Sequence, residues 1–178
     1  MKVLIVVDMQ KDFTTGILGN PETFSVIKNV SDYINKFRVE NPDGKIIVTL
    51  DTHYESYMAT QEGKFLPVPH CIRGTDGWKL VPEIEKILGD CIKLEKITFG
   101  AVDLPLVIGR DEIIEEIQLI GVCTDICVIS NAMIIKSAFP EVPVKVIADC
   151  CAGVSPESHR NALNVMKMCQ IIIEEEIL

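Results

Sequence analysis

The 178-residue chain is 48% hydrophobic, which is enough apolar material for a sizeable core. Its net charge of −9 argues against a nucleic-acid partner, because clustered Lys and Arg residues usually hold phosphate backbones. No apolar run is long enough for a membrane helix, and the first run is too short for a signal peptide, so we expect no membrane association.

Short apolar runs alternate with amphipathic segments along the chain. The first run, 2–7, is continuously apolar, as in a buried parallel strand, and ends at Asp8. Residues 21–38 have a helical pattern, since Asn20 can cap the helix, Pro21 suits its first position and apolar residues recur every three or four positions. Loops are predicted at 9–20, 54–78 and 149–154.

The remaining elements continue the alternation. We predict strands at 45–50, 91–95, 118–122, 144–148 and 170–173, and helices at 82–88, 103–108, 125–137 and from Ser155 onward. This order predicts an α/β fold with three α/β/α layers and a predominantly parallel, doubly wound, Rossmann-like sheet. Ligands of such sheets bind at the carboxyl ends of the strands, so polar residues there are candidate site residues.

The chain has seven cysteines, an odd number without the spacing of a small disulfide-rich domain. We therefore expect free thiols and a cytoplasmic location. No repeat, low-complexity linker or composition shift divides the chain, so we expect a single domain over 1–178. His159, on the predicted last helix, is expected to be solvated.

One cysteine follows a predicted strand at the start of a helix. In the sequence GVCTDICV, residues 121–128, Thr124 can cap the helix and Cys127 then lies in its first turn. Unpaired backbone N–H groups and the helix dipole favour a thiolate at such a position. A lone cysteine is more often a buried apolar residue, so the choice of Cys127 as nucleophile depends on the other motifs.

Those motifs, VDMQKDF, KITFG and GVCTDICV, resemble the isochorismatase-like cysteine hydrolases and, among them, the nicotinamidases. The resemblance extends from Asp8 to the last helix and implies a catalytic triad of Asp8, Lys96 and Cys127. It also implies a cis peptide bond between Val122 and Cys123, with the backbone N–H groups of Cys123 and Cys127 forming an oxyanion hole.

The chemistry of amide hydrolysis gives each triad residue a role. We expect the charge of Lys96 to lower the pKa of Cys127, and Asp8 to take the thiol proton and later deliver it to the leaving nitrogen. Backbone donors would stabilise the oxyanion, and water would hydrolyse the resulting thioester.

A second cluster combines Asp51 and His53, after a predicted strand, with His70 in the long loop. Carboxylate and imidazole ligands suit Zn, Mn or Fe. The resemblance implies a divalent metal, with zinc preferred, that holds the pyridine nitrogen of the substrate. For a fourth ligand we favour Glu62 because of its offset from Asp51. The alternatives are Glu55 and Ser56.

Aromatic residues near both clusters could hold the substrate ring. Phe13 matches the aromatic that stacks on the ring in this family, and Phe65 or Trp78 could complete the clamp. Ordinary core packing is the alternative for each of the three.

The resemblance implies a metal-dependent enzyme of NAD salvage that converts nicotinamide to nicotinate and ammonia. The alternatives are a sibling hydrolase of another small amide and a non-catalytic small-molecule or metal-binding module. A thiol redox protein is a third possibility, which the missing Cys-x-x-Cys motif disfavours. The expected partner is a small-molecule amide, with homo-oligomerisation as a family-level expectation.

Overall fold

Six parallel strands form one sheet in the computed structural model, which describes residues 1–109 and 112–175. The strands are β1 (Lys2–Val7), β2 (Lys45–Asp51), β3 (Ile92–Lys96), β4 (Glu116–Val122), β5 (Val144–Ala152) and β6 (Ile172–Glu174). They lie in the order β3-β2-β1-β4-β5-β6, and every neighbouring pair is parallel. The chain changes direction across the sheet between β1 and β4, which opens a crevice at their carboxyl ends.

Helices cover both faces of the sheet. They are α1 (Lys11–Thr14), α2 (Pro21–Glu40), α3 (Gln61–Phe65), α4 (Pro82–Leu88), α5 (Leu104–Ile108), α6 (Ile129–Ala138) and α7 (Pro156–Met168). Apolar residues of α2 and α4 pack with Leu4 and Val6 of β1 on one face. Those of α5, α6 and α7 pack with Val3, Ile5 and Val7 on the other. The predicted three-layer α/β/α architecture is therefore confirmed.

Local signals explain where the longest helix begins. The Asn20 side chain accepts a hydrogen bond from the Thr23 N–H at 2.8 Å, and the Thr23 hydroxyl accepts one from the Asn20 N–H at 3.1 Å. This capping box satisfies donors that the first helical turn cannot pair internally. Pro21 occupies the first turn, as predicted.

The three predicted loops contain more regular structure than expected. Helix α1 lies within 9–20, and a 3₁₀ turn (Tyr57–Ala59) and α3 lie within 54–78. Strand β5 continues to Ala152, because Cys150 and Cys151 are buried in the sheet while Asp149 points outward. The polar and glycine residues in these segments suggested loops, but tertiary packing stabilises short helices and a longer strand.

The crevice depends on a close approach of β4 to β1. Gly121 has a φ of +115°, and a Cβ at this position would lie 2.2 Å from the carbonyl oxygen of Val7. Only glycine fits such a contact. Within the described residues, no helix has the length and apolar character needed to cross a membrane.

Candidate active site

The side chains of Asp8, Lys96 and Cys127 meet at the carboxyl edge of the sheet. Asp8 directly follows β1, Lys96 ends β3 and Cys127 lies beyond β4. The Nζ atom of Lys96 is 2.7 Å from Asp8 Oδ2 and 3.6 Å from Cys127 Sγ. All three residues are buried. The structure thus brings together the three residues that the sequence placed at separate strand ends.

Asp8 is held in an unusual conformation with one carboxylate oxygen available for proton transfer. Its φ is +48°, in the left-handed region that Asp tolerates better than most residues. Thr49 Oγ1 donates a hydrogen bond to Oδ1 at 2.7 Å. Among the described residues Oδ2 has no directed hydrogen bond, although the Lys96 ammonium lies beside it. Burial and the charge of Asp51 together raise the pKa of Asp8 more than Lys96 and Thr49 lower it, so this carboxylate can hold a proton.

The electrostatics of Cys127 differ from the sequence-based expectation. Burial raises the pKa of its thiol, and the charge of Asp8 and hydrogen bonding to it raise the pKa further, while Lys96 opposes them only in part. From the sequence we predict that Lys96 favours a thiolate, but loss of solvent together with the charges of Asp8 and Asp51 outweighs the effect of Lys96. The resting group is therefore a thiol beside a proton acceptor.

Lys96 remains charged in this buried setting. Burial alone would lower the pKa of its ammonium, but Asp8, Cys127 and Asp51 together raise it. The ammonium also lies 3.1 Å from Asp51 Oδ1, so one cation bridges two buried carboxylates.

The nucleophile lies on a π-helical turn, Thr124–Val128, rather than in the first turn of an ordinary α-helix. Cys123 is the N-cap residue, so the prediction that Thr124 caps the helix was wrong. The peptide bond between Val122 and Cys123 is cis, as the family resemblance implied. The oxyanion-hole role of the Cys123 and Cys127 N–H groups stays a prediction.

Two neighbouring helices hold this turn. Thr124 Oγ1 lies 2.8 Å from Nδ1 of His159 on α7, and Asn131 Nδ2 on α6 donates to the carbonyl oxygen of Cys127 at 2.8 Å. His159 is half-buried and bonded to the nucleophile turn, which corrects the expectation of a solvated residue. The sequence around His159 offers no local signal for this contact, because α7 and the turn Thr124–Val128 meet only in the folded chain.

The predicted metal ligands form a compact buried cluster next to the triad. The ligand atoms of Asp51, His53 and His70 all lie within 4.8 Å of one another. Asp51 Oδ2 is 2.9 Å from His53 Nε2 and 3.6 Å from His70 Nε2. These carboxylate and imidazole atoms converge from β2 and the following loop on one point.

The donor set fits a divalent ion. His53 Nε2 is buried and has no directed hydrogen-bond partner among the described residues, as expected of an atom that binds a ligand. Glu62 Oε1 lies 3.5 Å from His53 Nε2 and 3.6 Å from His70 Nε2. Burial would lower the pKa of His53, but the carboxylates of Asp51 and Glu62 raise it to about 9. Of the three candidates for a fourth ligand, Glu55 and Ser56 are exposed, and Glu62 faces the cluster.

Two residues of the VDMQKDF motif whose role the sequence does not predict, Gln10 and Asp12, position this cluster. Gln10 is fully buried and makes two hydrogen bonds to the backbone of Asp51. Its Nε2 donates to the Asp51 carbonyl oxygen at 2.8 Å, and its Oε1 accepts from the Asp51 N–H at 2.7 Å. Asp12 accepts a hydrogen bond at 2.8 Å from the N–H of Cys71, the residue after His70. His70 Nδ1 lies 2.8 Å from the Val68 carbonyl oxygen, which orients Nε2 toward the cluster.

A cavity of about 250 Å³ adjoins both clusters and includes Cys127, Asp51 and His70 in its wall. This volume is slightly below the roughly 300–1,000 Å³ of typical small-molecule sites, so it suits a small substrate. Phe13 lines it and packs edge-on against His70, with ring centroids 5.5 Å apart.

The second aromatic residue of the cavity wall is Phe99, not Phe65 or Trp78. Phe65 is strongly exposed and lines a neighbouring groove, while Trp78 lines a different cavity and donates to Thr52 Oγ1 at 2.9 Å. Neither Phe65 nor Trp78 lines the catalytic cavity, so the prediction that one of them completes the ring clamp was wrong. The KITFG motif contains Phe99, three positions after Lys96, and could have indicated it.

Comparisons with known proteins agree on one family. The chain matches the model of the isochorismatase domain over residues 2–176. It is 33% identical over 143 residues to the uncharacterized isochorismatase family protein PncA of Bacillus subtilis, covering 74% of this chain and 76% of that protein. It is 26% identical over 186 aligned positions to the nicotinamidase/pyrazinamidase of Mycobacterium tuberculosis, covering 96% of this chain and 97% of that protein. The crystal structure of the pyrazinamidase of Pyrococcus horikoshii in complex with zinc is similar with a TM-score of 0.80 at 28% identity, covering 98% of this chain and 99% of that one.

Proposed function

Because the chain belongs to the isochorismatase family, we propose that it is a metal-dependent nicotinamidase, which hydrolyses nicotinamide to nicotinate and ammonia. The observation that carries this proposal is the double role of Asp51. Its Oδ1 lies 3.1 Å from Lys96 of the triad, while its Oδ2 faces both histidines of the metal cluster. A substrate in the adjoining cavity can therefore reach a nucleophile and a metal site at once. The nicotinamidase/pyrazinamidase relative and the zinc complex of the similar pyrazinamidase support the same assignment.

The reaction begins with proton transfer from Cys127 to Asp8. The thiolate attacks the carboxamide carbon, a C–S bond forms, and the charge that develops on oxygen is stabilised by the Cys123 and Cys127 N–H groups. Collapse of this intermediate breaks the C–N bond, and Asp8 delivers its proton to the departing ammonia. Lys96 keeps its charge throughout and stabilises the Asp8 carboxylate and the thiolate in turn.

Water completes the cycle. Asp8 takes a proton from a water molecule that attacks the thioester carbon. The C–S bond then breaks, nicotinate leaves, and the proton on Asp8 returns to the Cys127 thiolate. Asp51, His53, His70 and Glu62 would hold the metal, which supplies Lewis acidity and a coordination position for the pyridine nitrogen. Phe13 and Phe99 restrict the ring from the cavity wall.

Ammonia release from nicotinamide by the purified, metal-loaded protein tests the proposal. We expect release to fall at least about 1,000-fold in Cys127→Ala, because the nucleophile is lost. A Cys169→Ala variant, which removes a half-buried thiol away from the cavity, is the matched control and should retain activity. Chelation should reduce release and added zinc, manganese or iron should restore it.

The result that contradicts the proposal is a metal-loaded wild type that releases no ammonia from nicotinamide. A panel of other small amides would then identify a sibling hydrolase. Release that persists in Cys127→Ala would exclude the thioester mechanism.

A further inference from the structure

A second cavity of about 670 Å³ opens beside the catalytic cavity, and we call it the side groove. Its apolar lining consists of Phe65, Leu66, Ile97, Phe99 and Ile126. Phe65 and Ile97 are 83% and 67% exposed, so apolar side chains line the open part of the groove.

The side groove and the catalytic cavity share part of their walls. Leu66, Phe99, Ile126 and Glu62 line both spaces. Leu66 and Phe99 are themselves partly exposed, so they form a rim between the spaces rather than a closed partition. A molecule with its amide at Cys127 can therefore extend across this rim.

The lining residues and the volume of the side groove determine which chemical group of a substrate can bind there. Its remaining lining residues are His53, Thr60, Gln61 and Thr98. Lysine and arginine are missing from the described lining, and its ionisable residues, His53 and Glu62, face the predicted metal site. The catalytic cavity, at about 250 Å³, is small, whereas the side groove adds more than twice that volume.

We propose that the side groove is a subsite for an apolar substituent of the amide substrate. The enzyme then accepts aromatic carboxamides that carry an alkyl or aryl group on the ring, in addition to the unsubstituted amide. This inference rests on the proposed function, because that function places the amide at Cys127. Continuity with the catalytic cavity favours a substrate group as the occupant over a second copy of the chain.

Calorimetric binding to metal-loaded Cys127→Ala tests the subsite without turnover. We expect 5-propylnicotinamide, or 5-phenylnicotinamide, to bind about tenfold more tightly than nicotinamide, since its apolar group leaves water. Adding Ile97→Asp should bring the ratio of the two affinities, for the substituted amide and for nicotinamide, close to one. The control is Val39→Asp, which changes another exposed apolar residue, on α2, and should leave the ratio of the two affinities unchanged.

The outcomes separate this inference from the proposed function. Substituted amides that bind no more tightly than nicotinamide, or not at all, overturn the subsite even if wild type hydrolyses nicotinamide. Tighter binding and hydrolysis of substituted amides alone would support the subsite and contradict the nicotinamide assignment. A wild-type dimer in sedimentation that Ile97→Asp dissociates would identify the groove as an interface between copies and overturn the proposal.

Discussion

Asp8 and Cys127 compete for one proton, because burial raises the pKa of both side chains. The negative charge of Asp8 raises the pKa of the thiol further, and Lys96 lowers it. The thiolate therefore forms when Asp8 accepts the proton, and not by ionisation of an isolated cysteine into solvent. This coupling favours the protonated form of Cys127 in the resting site.

We predict opposite effects of Asp8→Asn on catalysis and on thiol reactivity. Hydrolysis should fall by 100-fold or more, because the general base is lost. Alkylation of Cys127 by iodoacetamide at neutral pH should become about tenfold faster, because removing the carboxylate charge lowers the thiol pKa and leaves Lys96 to favour the thiolate. The rate of Cys127 labelling, followed by mass spectrometry over a pH series, should rise at lower pH in Asp8→Asn than in wild type.

The control for this experiment is Asp43→Asn, which removes an exposed carboxylate in the turn before β2. This variant should change neither the rate of hydrolysis nor the rate of Cys127 alkylation. Slower labelling of Cys127 in Asp8→Asn than in wild type would show that Asp8 does not raise the thiol pKa.

At the scale of elements, the turn that carries Cys127 depends on the helix that directly follows it and on one that is distant in sequence. The π-helical turn Thr124–Val128 is bonded to α7 through His159 and to α6 through Asn131. Thr124 is fully buried and does not line the catalytic cavity, so it acts through the turn and not on the substrate. It is a positioning residue.

We therefore expect Thr124→Val to lower kcat about tenfold while KM changes less than twofold. The substitution keeps the shape of the side chain but removes one hydrogen bond, which contributes about 1 kcal/mol to the position of the turn. Thr124→Ser keeps the hydroxyl and should recover most of the activity. An equal loss of kcat in both variants, or a change confined to KM, would argue against positioning through His159.

At the scale of the whole molecule, the predicted metal cluster joins the end of β2 to the long connection that follows it. Asp51 ends β2, His53 follows it, Glu62 lies on α3 and His70 lies further along the same connection. An ion bound by all four residues would tie this long connection to the sheet. Such an ion binds the folded chain in preference to the unfolded one and so stabilises the fold.

Zinc at a free concentration 100 times its Kd should raise the free energy of unfolding by about 2.7 kcal/mol, measured by denaturant titration. At the same zinc concentration Glu62→Gln should lose at least half of this gain, because it removes a charged ligand. Glu55→Gln, which changes an exposed carboxylate in the same connection, should keep the full gain. Equal stabilisation of the two variants would exclude Glu62 as a ligand.

The alternation of strands and helices, the cap at Asn20 and the positions of Asp8, Lys96 and Cys127 at strand ends were readable in the sequence. These features depend on local patterns, and a parallel sheet brings its carboxyl ends together whatever the details of packing. The motifs also indicated the family and the cluster of Asp51, His53 and His70. This much follows from the amino-acid order because each signal is contained within a short segment.

The protonation of Cys127, the bond from His159 to Thr124 and the choice of Phe99 over Phe65 and Trp78 were decided only by the tertiary structure. The pKa of a thiol depends on how completely the fold removes water from it, and the sequence does not report that burial. Phe65 and Phe99 are both aromatic residues near a motif, and only the packing of α3 beside the cavity leaves one outside and the other on its wall. Contacts between distant elements arise from the assembled fold, so local sequence patterns carry no record of them.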